Sequence, residues 1–313
     1  MMRKIIIIVG PTAVGKTDLS LALAEKLQTE IISADSVQIY KNLDIGSAKP
    51  TLEEMRGIPH HLIDFVAATE AFSVSDYVAL AKAEIGKLFD QGKMPIVVGG
   101  TGLYVNSLMY DMNFGASCAD ETFRMQMEDL AKTEGNIAVH ELLNRVDPVA
   151  AARIHPNNLK RVIRALEVNH ITGRPFADFA SEPALTKDYE VVLIGLTRPR
   201  DLLYDRINKR VGLMLEAGLV EEVKKLKNSG LDDSFQSMQG IGYKEVLSYL
   251  DGRISYDEMV DRVRQGSRNY AKRQITWFKR YEGIHFIDLE EVSTEEALRE
   301  ILSIIHGNCI ITK

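Results

Sequence analysis

The chain has 313 residues, of which 45% are hydrophobic and 26% charged, with a net charge of −6. This is the balance of a globular protein with a sizeable core, and it excludes low-complexity and disordered classes. Only Cys118 and Cys309 are present, so no disulfide framework is expected and a cysteine-based zinc site is excluded. A cytoplasmic, reducing compartment is expected.

The first apolar run, Ile5 to Val9, is too short to span a membrane. It leads directly into Gly10-Pro11-Thr12-Ala13-Val14-Gly15-Lys16-Thr17, and residues 18–27 carry a helical pattern. Strand, G-x-x-x-x-G-K-T loop and helix follow in the order a P-loop requires. Glycines let the loop curl its N–H groups toward phosphate oxygens, and the helix N-terminus adds a partial positive charge. Lys16 supplies a full charge, and the Thr17 hydroxyl suits Mg²⁺. The loop predicts a polyphosphate without saying which one or which reaction.

Further β-rich runs are Glu30 to Ser33, Pro95 to Val98, Val191 to Leu196 and Ile284 to Ile287. Between two of them, Val78, Ala81, Ile85 and Leu88 share a helical face that opens after Ser73 or Ser75 and stops at Gly92. The alternation predicts an α/β fold with a P-loop NTPase-like parallel sheet flanked by helices. It breaks between about Gly115 and Asp188, where Phe123, Met127 and Leu130, then Leu159, Val162, Ile163 and Leu166, mark helices. Three segments are therefore expected: a first part of the core over 1–114, an all-helical insertion over 115–189, and a second part over 190–313. After the Val191 strand, helical patterns run through Leu202–Leu226, Gly242–Leu250 and Asp257–Tyr281.

Nucleotide-hydrolysing P-loop proteins usually hold Mg²⁺ with an acid at the end of a second apolar strand. Here Ile96-Val97-Val98 ends in Gly99-Gly100-Thr101-Gly102, which has no acid. His61 to Asp64 and His285 to Asp288 have suitable wording but do not read as buried central strands. The strand at Glu30 to Ser33 leads instead to Asp35, on the same sheet edge as the P-loop. That placement favours a catalytic carboxylate over a turn cap. His60-His61 lacks the spacing of a helical metal pair. From Arg262 to Arg280 there are seven basic residues and no acidic one, interleaved with Tyr270, Trp277 and Phe278. On an acidic chain this is a local footprint for nucleic acid. The aromatics Trp277 and Phe278 are expected in the core.

These residues resemble a known family. GPTAVGKT (10–17), SADSVQIYKNLDIGSAKP (33–50), IPHHLID (58–64), VVGGTGLYV (97–105), IHPNNLKRVIRALEV (154–168), QGIGYKE (239–245) and AKRQITWFKR (271–280) look like those of the bacterial tRNA dimethylallyltransferases, in order and over nearly the whole chain. The resemblance implies transfer of a dimethylallyl group from its diphosphate to N6 of the adenosine 3′ of the anticodon. It implies that Gly10, Pro11, Thr12, Ala13, Val14, Gly15, Lys16 and Thr17 hold the diphosphate with Mg²⁺. Arg206 and Arg210, four apart on one helical face, are candidates to stabilise the leaving charge, Arg206 being favoured. Asp35 is the expected general base, and Thr101 is expected to orient the donor.

The same resemblance implies that the target base is extruded from its stack and read by Asp35, Ser36, Val37 and Gln38. Contacts to the anticodon stem-loop are implied for Thr101, Arg124, Lys160, Arg161, Arg164, Gly242, Tyr243, Lys244, Lys272, Arg273 and Gln274. A monomer that uses no membrane is expected. Three rivals stay open at this point: a P-loop kinase of a small metabolite, an enzyme prenylating free AMP or ADP, and an RNA-binding protein with an inactive P-loop.

Overall fold

The computed structural model describes residues 3–112, 120–176 and 184–307. Cys118, Cys309 and the expected boundary at 114/115 lie outside them. In chain order the elements are β1 (Lys4–Val9), α1 (Lys16–Leu27), β2 (Ile31–Ser33), β3 (His60–His61), α2 (Val74–Asp90), β4 (Ile96–Gly99), α3 (Gly102–Met109), α4 (Glu121–Glu134), α5 (Asn136–Val146), α6 (Pro148–Arg153), α7 (Leu159–Thr172), β5 (Glu190–Thr197), α8 (Arg200–Glu216), α9 (Leu219–Asn228), α10 (Tyr243–Leu250), α11 (Tyr256–Phe278), β6 (His285–Asp288) and α12 (Thr294–Ile305). The chain divides into two compact units, Met1–Met109 with Thr186–Lys313, and Tyr110–Leu185.

In the first unit the strands form one sheet in the order β3-β2-β4-β1-β5-β6, with every pairing parallel. Helices cover both faces of a parallel sheet, so its central strands are apolar throughout. Ile5 to Val9 are accordingly fully buried. Because β4 lies between β1 and β2, the loops after these three strands open side by side at one sheet edge, where ligands of such folds bind. The strands ending in Asp64-like and Asp288 sequences, β3 and β6, are the two edges of the sheet. No acid ends β4 or β5, the neighbours of β1.

Helix starts follow local chemistry. Ser73 and Asp76 form a reciprocal capping box at α2, as do Ser293 and Glu296 at α12. The continuous helical pattern expected over Leu202–Leu226 is two helices. Gly218, at φ 99°, turns the chain between α8 and α9 in a conformation that a side chain resists.

The second unit packs α4 to α7 around Val139, Leu143, Ala150, Val162, Ile163 and Ala165. Asp147 caps α6 through the Ala150 N–H at 2.9 Å, with Pro148 in the first turn. Among the described residues, no helix is long and apolar enough to cross a membrane.

Candidate active site

The P-loop joins β1 to α1. Gly10 has no room for a side chain, since a Cβ would sit 2.9 Å from the Leu196 carbonyl oxygen on β5. Gly15 takes φ 115° and begins α1 without any side-chain cap. The first N–H groups of α1 thus stay available to an anion. Lys16 folds back over the loop and donates to the carbonyls of Gly10 and Pro11, both at 2.9 Å. Burial, then the charge of Arg210, pull its pKa down to about 8 against the opposing pull of Asp35. An anion entering the cradle would reverse that shift. Thr17 is exposed at the start of α1.

Three arginines grip the loop from outside. Arg206 Nε donates to the Ala13 carbonyl at 2.8 Å, and Arg210 Nη1 stands 3.5 Å from Thr12 Oγ1. Arg198 donates through Nε to the Val14 carbonyl at 2.9 Å and pairs with Glu290. Sequence reading missed Arg198; the available signal was a cation immediately past the strand that pairs with β1. Burial lowers the pKa of Arg210, opposed by the carboxylates of Asp35 and Glu54. Arg206 makes the shorter contact with the loop, and Arg210 is the more buried of the two.

Asp35 follows β2. Its Oδ1 accepts the N–H groups of Val37 at 2.9 Å and Gln38 at 3.2 Å, an Asx-type turn that fixes the carboxylate. No described residue donates to its Oδ2. The Gln38 side chain is turned to the carbonyls of Ser47 and Ala48. Thr101, after β4, accepts the Ser36 N–H through Oγ1 at 3.0 Å, and its own N–H donates to the Ala34 carbonyl. Gly99 permits this approach, because a Cβ there would lie 2.1 Å from the Ala34 oxygen. Phosphate cradle, carboxylate and hydroxyl thus meet at one edge. The arrangement can stabilise a departing polyphosphate and accept a proton beside it.

The family model described as IPP transferase matches residues 38–281. The chain belongs to the IPP transferase family. It is 51% identical over 302 residues to the tRNA dimethylallyltransferase of Alkaliphilus oremlandii, covering 96% of both chains, and 50% identical to that of Geobacillus thermodenitrificans, covering 96% and 97%. It is similar to the solved tRNA isopentenylpyrophosphate transferase of Bacillus halodurans, with a TM-score of 0.73, 46% identity, and 98% and 96% coverage. A eukaryotic dimethylallyltransferase solved acting on tRNA superposes with a TM-score of 0.82 at 29% identity, covering 99% of this chain and 81% of that one.

For this IPP transferase the expected RNA contacts fall into two groups. Lys272 and Arg273 are exposed on α11 and Arg280 just past its end; Arg273 lies over the Tyr270 ring at 5.6 Å and Arg280 over Trp277 at 4.1 Å. Lys244, Lys160 and Arg161 are also exposed. Phe278 is buried, and Trp277 is partly buried against Gly102.

Four of the expected contacts are occupied within the protein. Tyr243 is 0% exposed; its hydroxyl donates to Glu222 at 2.8 Å and accepts the Ser47 N–H. Burial, with help from Glu222, pushes this phenol far above its ordinary range. Gly242 is buried, and its N–H is held by Glu245. Arg124 and Arg164 both pair with Glu167, at 2.8 and 2.6 Å, within the second unit. Acids distant in sequence take up Tyr243 and Arg124, and acids three residues on take up Gly242 and Arg164. Gln274 is a fifth, being 5% exposed and bound at both ends. Among the described residues no cluster of His, Cys, Asp and Glu suits a metal ion, His60 and His61 included.

Proposed function

We propose that this chain transfers the dimethylallyl group of dimethylallyl diphosphate to N6 of the adenosine 3′-adjacent to the anticodon of tRNA, releasing diphosphate. The observation that carries the reading is the pairing of a P-loop with a carboxylate that leaves one oxygen undonated. The carboxylate in turn raises the pKa values of Lys16 and Arg210 against the effect of their burial. A nucleotide hydrolase would want an acid beside β1 to hold its metal; an alkyl transfer wants an anion cradle and a base. The kinase rival has no observation in its favour.

As the allylic C–O bond breaks, its electron pair goes to the diphosphate. The P-loop N–H groups, Lys16 and Arg210 meet that charge. The N6 lone pair forms the new C–N bond, and its proton passes to Asp35. Thr101 orients the reacting end, and the 35–38 segment reads the extruded base. Mg²⁺ would neutralise part of the diphosphate charge. The residues fit it through the Thr17 hydroxyl, exposed at the start of α1 beside the cradle, which would hold the ion. The RNA partner is the anticodon stem-loop, gripped by Lys272, Arg273 and Lys244, with Lys160 and Arg161 on the helical unit. The enzyme is a cytoplasmic monomer, which light scattering tests.

The deciding experiment incubates the protein with Mg²⁺, labelled dimethylallyl diphosphate and an unmodified anticodon stem-loop, with AMP in a parallel tube. Label in the RNA, lost in Asp35→Ala, is expected. Label in AMP alone would leave the chemistry and overturn the RNA acceptor.

A further inference from the structure

Gln274 sits on α11 with a basic residue exposed on either of the two preceding positions, yet it is itself buried. Its Oε1 accepts the Thr12 N–H of the P-loop at 2.9 Å, and its Nε2 donates to the Gly100 carbonyl at 3.0 Å. Gly100 is matched to it, since a Cβ there would lie 2.1 Å from Nε2. One turn earlier, the Tyr270 hydroxyl reaches the same carbonyl at 3.5 Å. Ala271 and Phe278, both buried, anchor the helix on either side.

We infer that Gln274 is a positioning residue that sets the separation between the diphosphate cradle and the Asp35–Thr101 side of the site. The inference rests on the prenyl-transfer reading above. One planar amide spans the loop after β1 and the loop after β4. Thr12 takes its other hold from Arg210, and Gly100 directly precedes Thr101, whose hydroxyl orders the segment after Asp35. Moving either loop would move the allylic carbon relative to the adenine amine. A small misplacement of reacting atoms is costly, because proximity is a large share of the rate. It also admits a competitor. Water then attacks the allylic carbon, the C–O electron pair still leaves with diphosphate, the water proton goes to solvent, and an allylic alcohol forms.

The test is the ratio of diphosphate released to prenyl groups placed on RNA. For the wild type the two should match one to one in the proposed reaction. Gln274→Met keeps the length and loses both hydrogen bonds. Gln274→Glu keeps the acceptor for Thr12 and loses the donor for Gly100. For Gln274→Met the expected result is a fall in prenylation of about tenfold or more, a ratio clearly above one, and RNA affinity unchanged. Gln274→Glu should fall between it and wild type. If the Met variant does not fold, the Glu variant carries the same measurement. Parallel loss of both products with the ratio held at one would overturn the inference, as would weaker RNA binding with turnover intact. Failure of the wild-type protein to label RNA would instead sink the reaction assignment.

Discussion

Two carboxylates in this molecule face pairs of cations, and they do opposite things. Asp35 lies in the field of Lys16 and Arg210 but is hydrogen-bonded only by backbone N–H groups. Glu167, 0% exposed, is closed by Arg124, Arg164 and the Asp120 N–H. Burial pushes the Glu167 carboxyl up, but the hydrogen bonds from Arg164 and Arg124 outweigh it and hold the pKa below its ordinary value. At the first site, in the proposed reaction, the cations would meet an incoming anion and the acid would take a proton on its remaining oxygen. At the second, every charge is already spent. Charges that a sequence presents as equivalent are therefore functional or structural according to whether their partners are inside the protein.

The largest expected effects separate the two sites. Asp35→Asn should slow prenyl transfer by about 10²–10⁴-fold at unchanged thermal stability. Lys16→Ala should cost about 10²–10³-fold. Single-turnover assays beside thermal melts check both, and a large stability loss in either would collapse the contrast. Glu167→Gln should do the reverse, keeping turnover at saturating RNA while lowering stability by about 1–3 kcal/mol. That is less than breaking a fully closed pair, because Arg124 and Arg164 are each about a third exposed and can be rehydrated.

Both sites also respond to pH, in different directions. Above pH 8 free Lys16 loses its proton, so donor affinity should weaken about fivefold from pH 8 to 9. Calorimetric titration reads this, and a flat profile would deny Lys16 its role. Glu167 has a folded pKa below its unfolded value of 4.5. Its stabilisation is full above that value and is lost as pH falls through the lower folded one, so Glu167→Gln should flatten the acid limb of the stability curve. The smallest effect concerns the RNA face. Lys272→Ala and Arg273→Ala should each reduce the salt dependence of RNA binding by about 0.7 in log–log slope. Arg164→Ala should leave the slope alone and lower the melting temperature. A slope change there would place Arg164 on the RNA after all.

Much of this was legible beforehand. Five of the six strands were written in apolar runs, four of them buried, while the two-residue edge strand β3 was not, and the P-loop was written in eight residues whose geometry is local. Asp35 was singled out because it lies just past a strand on the same edge as the P-loop. The break between α8 and α9 was obscured because apolar periodicity continues across Gly218, and a single glycine does not reveal its φ. Arg198 and the brace made by Gln274 were missed for a different reason. Each acts on a backbone group more than 180 residues away in the first case and more than 170 in the second.

The sequence by itself determined the fold class, the anion cradle and the basic character of α11, because strand burial, loop curvature and helical spacing depend on neighbours within a few residues. Tertiary structure alone decided which of the charged and amide side chains remain free. Tyr243, Arg124, Arg164 and Gln274 look as available in the sequence as Lys272 and Arg273. The Tyr243, Arg124 and Gln274 groups are satisfied by Glu222, Glu167, Thr12 and Gly100 only once distant segments pack, whereas Arg164 meets Glu167 three residues along its own helix; a buried polar group without such a partner would not be tolerated.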